Sequence, residues 1–194
     1  MKKLLKILIC FFTILFCSCG KSFNEKSIIY EGKGVDDYEI RVLTPSQIKD
    51  EGNSNYKLID HQNYSTEIHY EQEGISFYYL KRQPSKILSI SFNKNFKGKT
   101  SRGFDVKKMD VNDMLKIYGK PRWHQFNDSR VVSAHYDSLG IYFNVKGLEN
   151  MPDEFNFYSL DDLIVINKMH AYFSNKYKNQ TIEEISIGIP NSAY

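Results

Sequence analysis

The strongest constraint on the fold is an internal duplication. Residues 69–77 recur as residues 135–143, an offset of 66 positions (135 − 69), and both segments contain the pattern HY-x-x-x-GI-x-F. The same offset aligns Thr44 with Asp110, the two best candidates for helix N-caps in the chain. Separate matches in a single register indicate a repeat. We therefore expect two units with the same order of elements.

A helix is predicted at the start of each unit. In the second unit, Asp110 precedes apolar residues at the i, i+3, i+4, i+7 spacing of an amphipathic helix, and Gly119 follows as a stop signal. These apolar residues are Val111, Met114, Leu115 and Tyr118. In the first unit, residues 44–47 form a capping box with proline at the first helical position, but Ile48 alone continues the apolar pattern. The first helix is therefore expected to be shorter.

Antiparallel strands are predicted after each helix. Alternation assigns Tyr70 and Tyr136 to the more apolar face of their strands. It assigns His69 and His135 to the opposite face. The predicted strands are residues 66–70, 75–79 and 87–92 in the first unit, and residues 132–136, 141–145 and 182–187 in the second.

The second unit contains an insertion before its last strand. The chain between the phenylalanine of the shared pattern and the last strand is 29 residues longer than in the first unit, (182 − 143) − (87 − 77). This insertion, around residues 146–175, includes an acidic stretch. Its apolar run at residues 163–166 predicts an extra strand, which residues 169–173 continue or pair with.

Together these elements predict an α+β fold of two imperfect repeats. Each repeat is a short helix followed by antiparallel strands, and the helices pack on one face of a sheet that the repeats share. We assign residues 36–101 to the first repeat and residues 102–194 to the second. Residues 19–35 precede them as a tether and a first strand.

The N-terminus has the pattern of a signal peptide. Residues 1–3 are basic, and residues 7–16 form an apolar core with one polar residue. This core is shorter than the roughly 20 residues that a membrane span needs. We therefore assign residues 1–18 to a lipoprotein signal peptide that is removed from the mature protein.

The end of this leader resembles a lipobox, in which a small residue precedes a cysteine that is acylated before cleavage. Ser18 and Cys19 fit this pattern, whereas Phe16 stands where leucine is usual. The resemblance implies a covalent lipid on Cys19, and Gly20 after it implies sorting to the outer membrane. An ordinary secretory signal that is cut nearby is the alternative.

Composition excludes several classes of chemistry. No cysteine follows Cys19, so the folded part has no thiolate nucleophile, disulfide or thiolate zinc site. The five histidines include no i, i+4 pair, so we expect no metal and no cofactor besides the lipid. Without the three leader lysines, the chain has 23 basic and 23 acidic residues, and we expect no nucleic-acid partner. No catalytic residue is assigned, and the protein is not expected to be an enzyme.

Residues 119–121, Gly-Lys-Pro, follow the second helix, and the turns at Gly74 and Gly140 each precede an I-x-F sequence. This pattern resembles small bacterial envelope lipoproteins built from helix-plus-antiparallel-sheet repeats, with β-lactamase-inhibitor-protein-like and BamE-like folds. The resemblance covers about residues 36–189. It implies binding of another protein, because proteins with those folds mostly bind proteins, and it carries no catalytic residues.

A candidate partner-binding site directly follows the second helix. It consists of Lys120, Arg122, Trp123 and His124, which fall in a predicted loop and include the only tryptophan. Tryptophan and arginine dominate the binding energy of many protein interfaces. The alternative is a tryptophan that folds back and fills the core between helix and sheet.

The sequence thus predicts a non-enzymatic protein of the bacterial cell envelope that is lipid-anchored in the outer membrane. Its partner is another protein, bound as an inhibitor or immunity-type factor or as part of an envelope assembly. One alternative is a small-ligand binder or hydrolase that uses the strand face of His69 and His135, which duplication would bring near a pseudo-twofold axis. A purely structural lipoprotein is another.

Overall fold

The computed structural model describes residues 23, 25–51, 55–62, 64–125, 131–146 and 163–190. The helices of this part of the chain are α1 (Pro45–Glu51), α2 (Val111–Tyr118) and α3 (Leu163–Tyr177). Its strands are β1 (Ile28–Tyr30), β2 (Gly34–Val35), β3 (Tyr38–Glu39), β4 (Lys57–His61), β5 (Ser65–Tyr70), β6 (Ile75–Leu80), β7 (Ser89–Phe92), β8 (Lys99–Thr100), β9 (Arg122–Gln125), β10 (Val131–Tyr136), β11 (Ile141–Lys146) and β12 (Ile182–Ile187). The predicted α+β class is confirmed.

Eight of these strands form one antiparallel sheet in the order β4-β5-β6-β7-β12-β11-β10-β9. Tight turns connect β5 to β6 and β10 to β11. Each turn ends in a glycine in the left-handed region, Gly74 at φ 64° and Gly140 at φ 65°. A side chain at either glycine would also meet backbone atoms closer than 3 Å, because Phe96 N lies 2.5 Å and Gly188 O 2.4 Å from the added Cβ.

The hairpins on the two sides of this sheet have equivalent registers. Tyr70 lies opposite Ile75 between β5 and β6. Tyr136 lies opposite Ile141 between β10 and β11. Both residues of the second pair lie 66 positions after their counterparts, which is the offset of the sequence match (136 − 70 and 141 − 75).

Helix α2 begins and ends where its sequence predicts. The Asp110 carboxylate accepts a hydrogen bond from the backbone N–H of Asp113 at 3.0 Å, which caps the N-terminus. At the other end the backbone N–H of Gly119 donates to the carbonyl of Leu115 at 2.9 Å. The buried face comprises Val111, Met114 and Tyr118. The prediction of this helix is confirmed.

Helix α1 is shorter, as predicted, and begins at the expected capping box. The backbone N–H of Thr44 donates to Gln47 Oε1 at 3.0 Å, and the backbone N–H of Gln47 donates to Thr44 Oγ1 at 3.3 Å. Ile48 is 2% exposed. Its carbonyl accepts a hydrogen bond from the Tyr70 hydroxyl at 2.8 Å. This bond joins α1 to β5.

The strand predicted at residues 163–166 is wrong, because these residues are part of helix α3. Met169, Phe173 and Tyr177 follow one another at intervals of four residues, and all three are buried. The Phe173 and Tyr177 rings lie 5.7 and 6.2 Å from the ring of Trp123 on β9. A short apolar run favours a strand locally, but burying one whole face of a longer helix against the sheet outweighs that preference.

A second sheet, of four strands in the order β3-β2-β1-β8, packs against the first. The ring of Tyr38 on β3 lies 5.8 Å from that of Phe77 on β6. The ring of Phe96, before β8, lies 4.7 Å from that of Phe92 on β7. Phe23 contacts both, 5.4 Å from Tyr38 and 5.7 Å from Phe96. The chain is therefore attached to the core from residue 23.

Several predicted features lie outside the described residues. They are the signal peptide at residues 1–18, the lipid attachment site Cys19, and residues 147–162 of the insertion. No helix in the described ranges is both long and apolar enough to cross a membrane. The predicted boundary between the repeats, at residue 101, falls in the turn after β8.

Candidate functional site

Trp123 belongs to the core and not to a surface loop. Residues Arg122–Gln125 form strand β9, so the predicted loop is wrong. Trp123 is 2% exposed, because the rings of Phe173 and Tyr177 on α3 cover it. Its indole N–H is buried and has no hydrogen-bond partner among the described residues. The position matches the alternative in which the tryptophan fills the core, and it leaves no indole surface for a partner.

None of the other three predicted partner-binding residues lies with Trp123 in the core. Arg122 and His124 alternate with Trp123 along β9 and lie on the opposite face of the sheet. The Arg122 Nε–H donates to Asp137 Oδ2 at 2.9 Å. Lys120 is exposed and precedes β9, and its ammonium group donates a hydrogen bond to Asn167 Oδ1 on α3. Their role in partner binding stays a prediction.

The face of the large sheet that carries Arg122 and His124 is polar. Apolar core residues alternate with polar residues along most of β6, β7, β10 and β11, and these polar residues belong to this face. We define the polar face by Glu67, His69, Ser76, Tyr78, Ser91, Arg122, His124, Ser133, His135, Tyr142, Asn144, Glu184 and Ser186. It therefore extends over seven strands.

Hydrogen bonds between side chains join four strands at the centre of the polar face. The Ser133 hydroxyl donates to Asn144 Oδ1, and the Asn144 amide donates to Glu184 Oε1 at 3.0 Å. Ser186 also donates to Glu184 Oε1 at 3.0 Å, and its hydroxyl oxygen lies 3.0 Å from that of Ser91. Because each of these groups has a partner, the network holds the side chains in fixed positions.

A first histidine cluster surrounds the buried carboxylate of Glu67, which is 7% exposed. His61 Nε2 lies 2.8 Å from Glu67 Oε2, and His69 Nδ1 lies 3.3 Å from Glu67 Oε1. The same His69 Nδ1 lies 2.8 Å from the hydroxyl oxygen of Ser76. A serine nucleophile and an orienting carboxylate must contact opposite nitrogens of the histidine between them. This cluster therefore lacks the geometry of a catalytic triad.

A second histidine cluster lies at the other side of the polar face. His135 Nδ1 is 3.8 Å from Asp137 Oδ1, the carboxylate that also accepts from Arg122. The rings of Tyr142 and His124 are 4.9 and 5.6 Å from the ring of His135. Burial lowers the pKa of His135 from 6.5 to about 4, although Asp137 opposes the shift. His135 is consequently a neutral imidazole at neutral pH.

His69 and His135 lie far apart, on β5 and β10. Four strands separate these two, so five strand spacings of about 4.8 Å place them roughly 24 Å apart. The expectation that duplication brings them near a common axis is therefore wrong. The residues at the centre are Ser91 and Ser186, which face each other across β7 and β12. Among the described residues, no three or more His, Cys, Asp or Glu side chains are grouped so that they could hold a metal ion.

Apolar side chains are exposed at the β4 side of the sheet. Tyr64 is 73% exposed, Leu58 53%, Leu80 39% and Ile59 37%. Ile59 and Leu80 lie on the same side of the sheet as the polar face, whereas Leu58 is on the other side of β4 and Tyr64 is in the turn before β5. We call Leu58, Ile59, Tyr64 and Leu80 the β4 edge surface.

Strand β4 itself is open along its outer side. All five of its residues are exposed, and in the described part of the chain it pairs with β5 alone. Its outward backbone N–H and C=O groups can therefore pair with another strand. The sequence contained one sign of this surface: consecutive apolar residues in a strand point to opposite faces, so Leu58 and Ile59 cannot both enter the core.

The described structure defines a mixed α+β protein, mostly sheet with few short helices. No protein-family model matches the chain, and the search of curated proteins gives no match. Among solved structures it is similar to the crystal structure of the uncharacterized protein YfeY from Escherichia coli, with 11% sequence identity and a TM-score of 0.47. That similarity covers 87% of this chain and 99% of YfeY.

Proposed function

We propose that the chain is an imperfect tandem repeat organised around the central pair of strands β7 and β12. The equal offset of the two hairpin registers supports this proposal. The central pairing supports it too, because residues 87–92 and 182–187 share the pattern I-x-x-I-S, and the serines of this pattern, Ser91 and Ser186, lie opposite each other. Ile90 pairs with Ile187 and Phe92 with Ile185, as a twofold arrangement requires.

In this proposal the helices of both units cover the apolar face of the shared sheet. Helix α2 supports it, because the Tyr118 ring lies 5.2 Å from both Tyr136 and Phe143, which belong to that face. Helix α3 supports it through the contact of Phe173 with Trp123. The residues of the opposite, polar face are buried or half-buried, so they do not form an exposed binding surface.

The mature protein, in our proposal, is held in the bacterial outer membrane by a lipid on Cys19. The basic and apolar leader and the small residue Ser18 support acylation at this cysteine. Each buried methylene of an acyl chain contributes about 0.8 kcal/mol, so several chains make the attachment effectively permanent. The protein would act within reach of that membrane.

Its function, we infer, is to bind another protein without catalysis, as an inhibitor or immunity-type factor or as a component of an envelope assembly. The observation that carries this proposal is the β4 edge surface. A strand of the partner would pair with the open backbone of β4, while its apolar side chains cover Leu58 and Tyr64. Main-chain hydrogen bonds supply affinity in this mode, and the side chains beside them supply specificity.

A second copy of the same chain fits this edge poorly. Antiparallel pairing of β4 with itself, centred on Ile59, would put Leu58 opposite Asp60 and Lys57 opposite His61. The first pair buries an apolar side chain against a carboxylate, and the second has no complementary charge. A different protein, with apolar residues at these positions, is the better occupant.

The test is crosslinking of the full lipidated chain in intact envelopes, followed by purification through an affinity tag. We expect Leu58→Ser combined with Tyr64→Ala to abolish recovery of the crosslinked partner. The matched control is Tyr30→Ala, which removes a 42% exposed aromatic side chain from β1 of the small sheet. Circular dichroism must show that both variants remain folded.

Equal recovery from the double variant and the control would exclude the β4 edge surface. A crosslinked product of twice the mass of the chain would show that the edge binds a second copy of the chain and not a different protein. If no crosslinked product forms, the purely structural alternative is favoured. Small-ligand binding or hydrolysis at His69 and His135 stays a prediction, and the distance between the two histidines gives it no support.

A further inference from the structure

The N-terminal segment enters the fold close to the proposed lipid. Phe23 is half-buried and packs against Tyr38 and Phe96, so its position relative to the domain is determined. Cys19 precedes Phe23 by four residues. Four residues span at most about 14 Å even when fully extended. An acylated Cys19 would therefore keep this part of the domain close to the membrane surface.

Lysine side chains surround the place where the N-terminal segment joins the fold. The Lys99 N–H donates to the carbonyl of Ser27 at 3.1 Å, and the Lys107 ammonium pairs with Glu25 at 2.9 Å. Gly98 permits the close approach, because a Cβ there would lie 2.6 Å from Ser27 O. An open cavity of about 420 Å³ lies at this junction, lined by Glu25, Lys97, Lys99, Asp105, Lys107 and Lys108 among others.

The positive charge at this junction is largely free to bind anions. Lys97, Lys99 and Lys108 are exposed and form no ion pair within the described ranges. Lys107, the fourth lysine of the lining, forms an ion pair with Glu25. We call Lys97, Lys99, Lys107 and Lys108 the N-terminal lysine surface. The lining carries four lysines against two carboxylates, so it attracts negative charge.

We propose that the N-terminal lysine surface binds the anionic phosphate headgroups of the membrane that holds the Cys19 lipid. This inference rests on the proposed acylation, which brings the lysines to the membrane. Lysines interact with an anionic leaflet within a Debye length, about 8 Å at physiological salt, and the tether allows this separation. Their flexible stems carry compact charges, which suit phosphates that move laterally and need no fixed geometry. The surface would orient the domain on the membrane.

The test measures lysine reactivity on vesicles that carry the purified, lipidated protein. An amine reagent that does not cross bilayers modifies exposed lysines, and mass spectrometry gives the rate at each position. On vesicles containing phosphatidylglycerol, we expect Lys97, Lys99 and Lys108 to react about fivefold more slowly than on phosphatidylcholine vesicles, the factor expected for one lysine at an anionic leaflet. High salt should remove the difference. The internal control is Lys57 of β4, whose side chain is 68% exposed and whose rate should not change.

A charge-reversal variant checks the assignment. Lys97→Glu with Lys99→Glu should remove the lipid-dependent protection of Lys108, whereas Lys57→Glu should preserve it. Equal rates on the two kinds of vesicle would overturn the inference while leaving the acylation proposal intact. Protection by inorganic phosphate on phosphatidylcholine vesicles, to the same extent, would assign the surface to a soluble anion instead. Protein without an acyl mass would overturn both proposals.

Discussion

Two histidines on equivalent strands have different surroundings at the scale of single residues. His69 contacts the buried carboxylate of Glu67 and the hydroxyl of Ser76. His135 lies between aromatic rings, 3.8 Å from the Asp137 carboxylate, and burial lowers its pKa to about 4. The duplicated pattern predicts the strand position of each histidine. It does not predict their surroundings, which neighbouring strands supply.

The low pKa of His135 predicts how stability depends on pH. The unfolded chain binds a proton at His135 as the pH falls through about 6.5, whereas the folded chain binds it only near 4. Stability from neutral His135 is therefore fully present above 6.5 and is lost as the pH falls from 6.5 to about 4. The midpoint of urea unfolding, measured across this range, should fall less in His135→Phe, which keeps a ring but does not titrate. An unchanged slope would contradict the prediction.

At the scale of elements, local signals were sufficient for α1 and α2. Asp110 and Gly119 mark the ends of α2, and its apolar residues repeat at helical spacing. In α3, the first four residues resemble a strand, and its buried residues become evident only against β9. Trp123 shows the same dependence, because its burial requires Phe173 and Tyr177 from a distant part of the chain.

The packing of α3 on β9 can be tested with the single tryptophan. Phe173 is 1% exposed and contacts both Trp123 and Tyr177. We expect Phe173→Ala to lower the free energy of unfolding by about 3–5 kcal/mol through a cavity. The fluorescence of Trp123 should shift to the red as water reaches the indole. Asn175→Ala, at an exposed position of the same helix, is the control and should change neither quantity. An unshifted spectrum in Phe173→Ala would argue against this contact.

At the scale of the whole molecule, the proposed tether and the exposed surfaces determine where the protein acts. The attachment of Phe23 to the core leaves few residues between the domain and Cys19. A partner would therefore bind the β4 edge surface close to a membrane.

The proposed position of the protein at the membrane requires the lipid on Cys19. Cys19→Ser should abolish incorporation of labelled palmitate, and because cleavage follows acylation, the variant should retain its leader and have a correspondingly higher mass. Cys17→Ser is the matched control, because that cysteine lies within the predicted signal peptide, and it should leave labelling unchanged. Persistent labelling of Cys19→Ser would refute acylation at this residue. Loss of labelling in both variants would indicate a general defect in export.

The sequence by itself determined the α+β class, the limits of α1 and α2, and the alternation of strands β5, β6, β10 and β11. Caps, turns and periodic burial depend on residues close together in the chain, so local physics is sufficient for them. Only the tertiary structure decided the helical state of α3, the burial of Trp123 and the position of the two histidines. It also decided that β4 is an open edge with Leu58 and Tyr64 exposed. These features depend on which distant elements pack together, because contacts between remote segments determine burial and strand order.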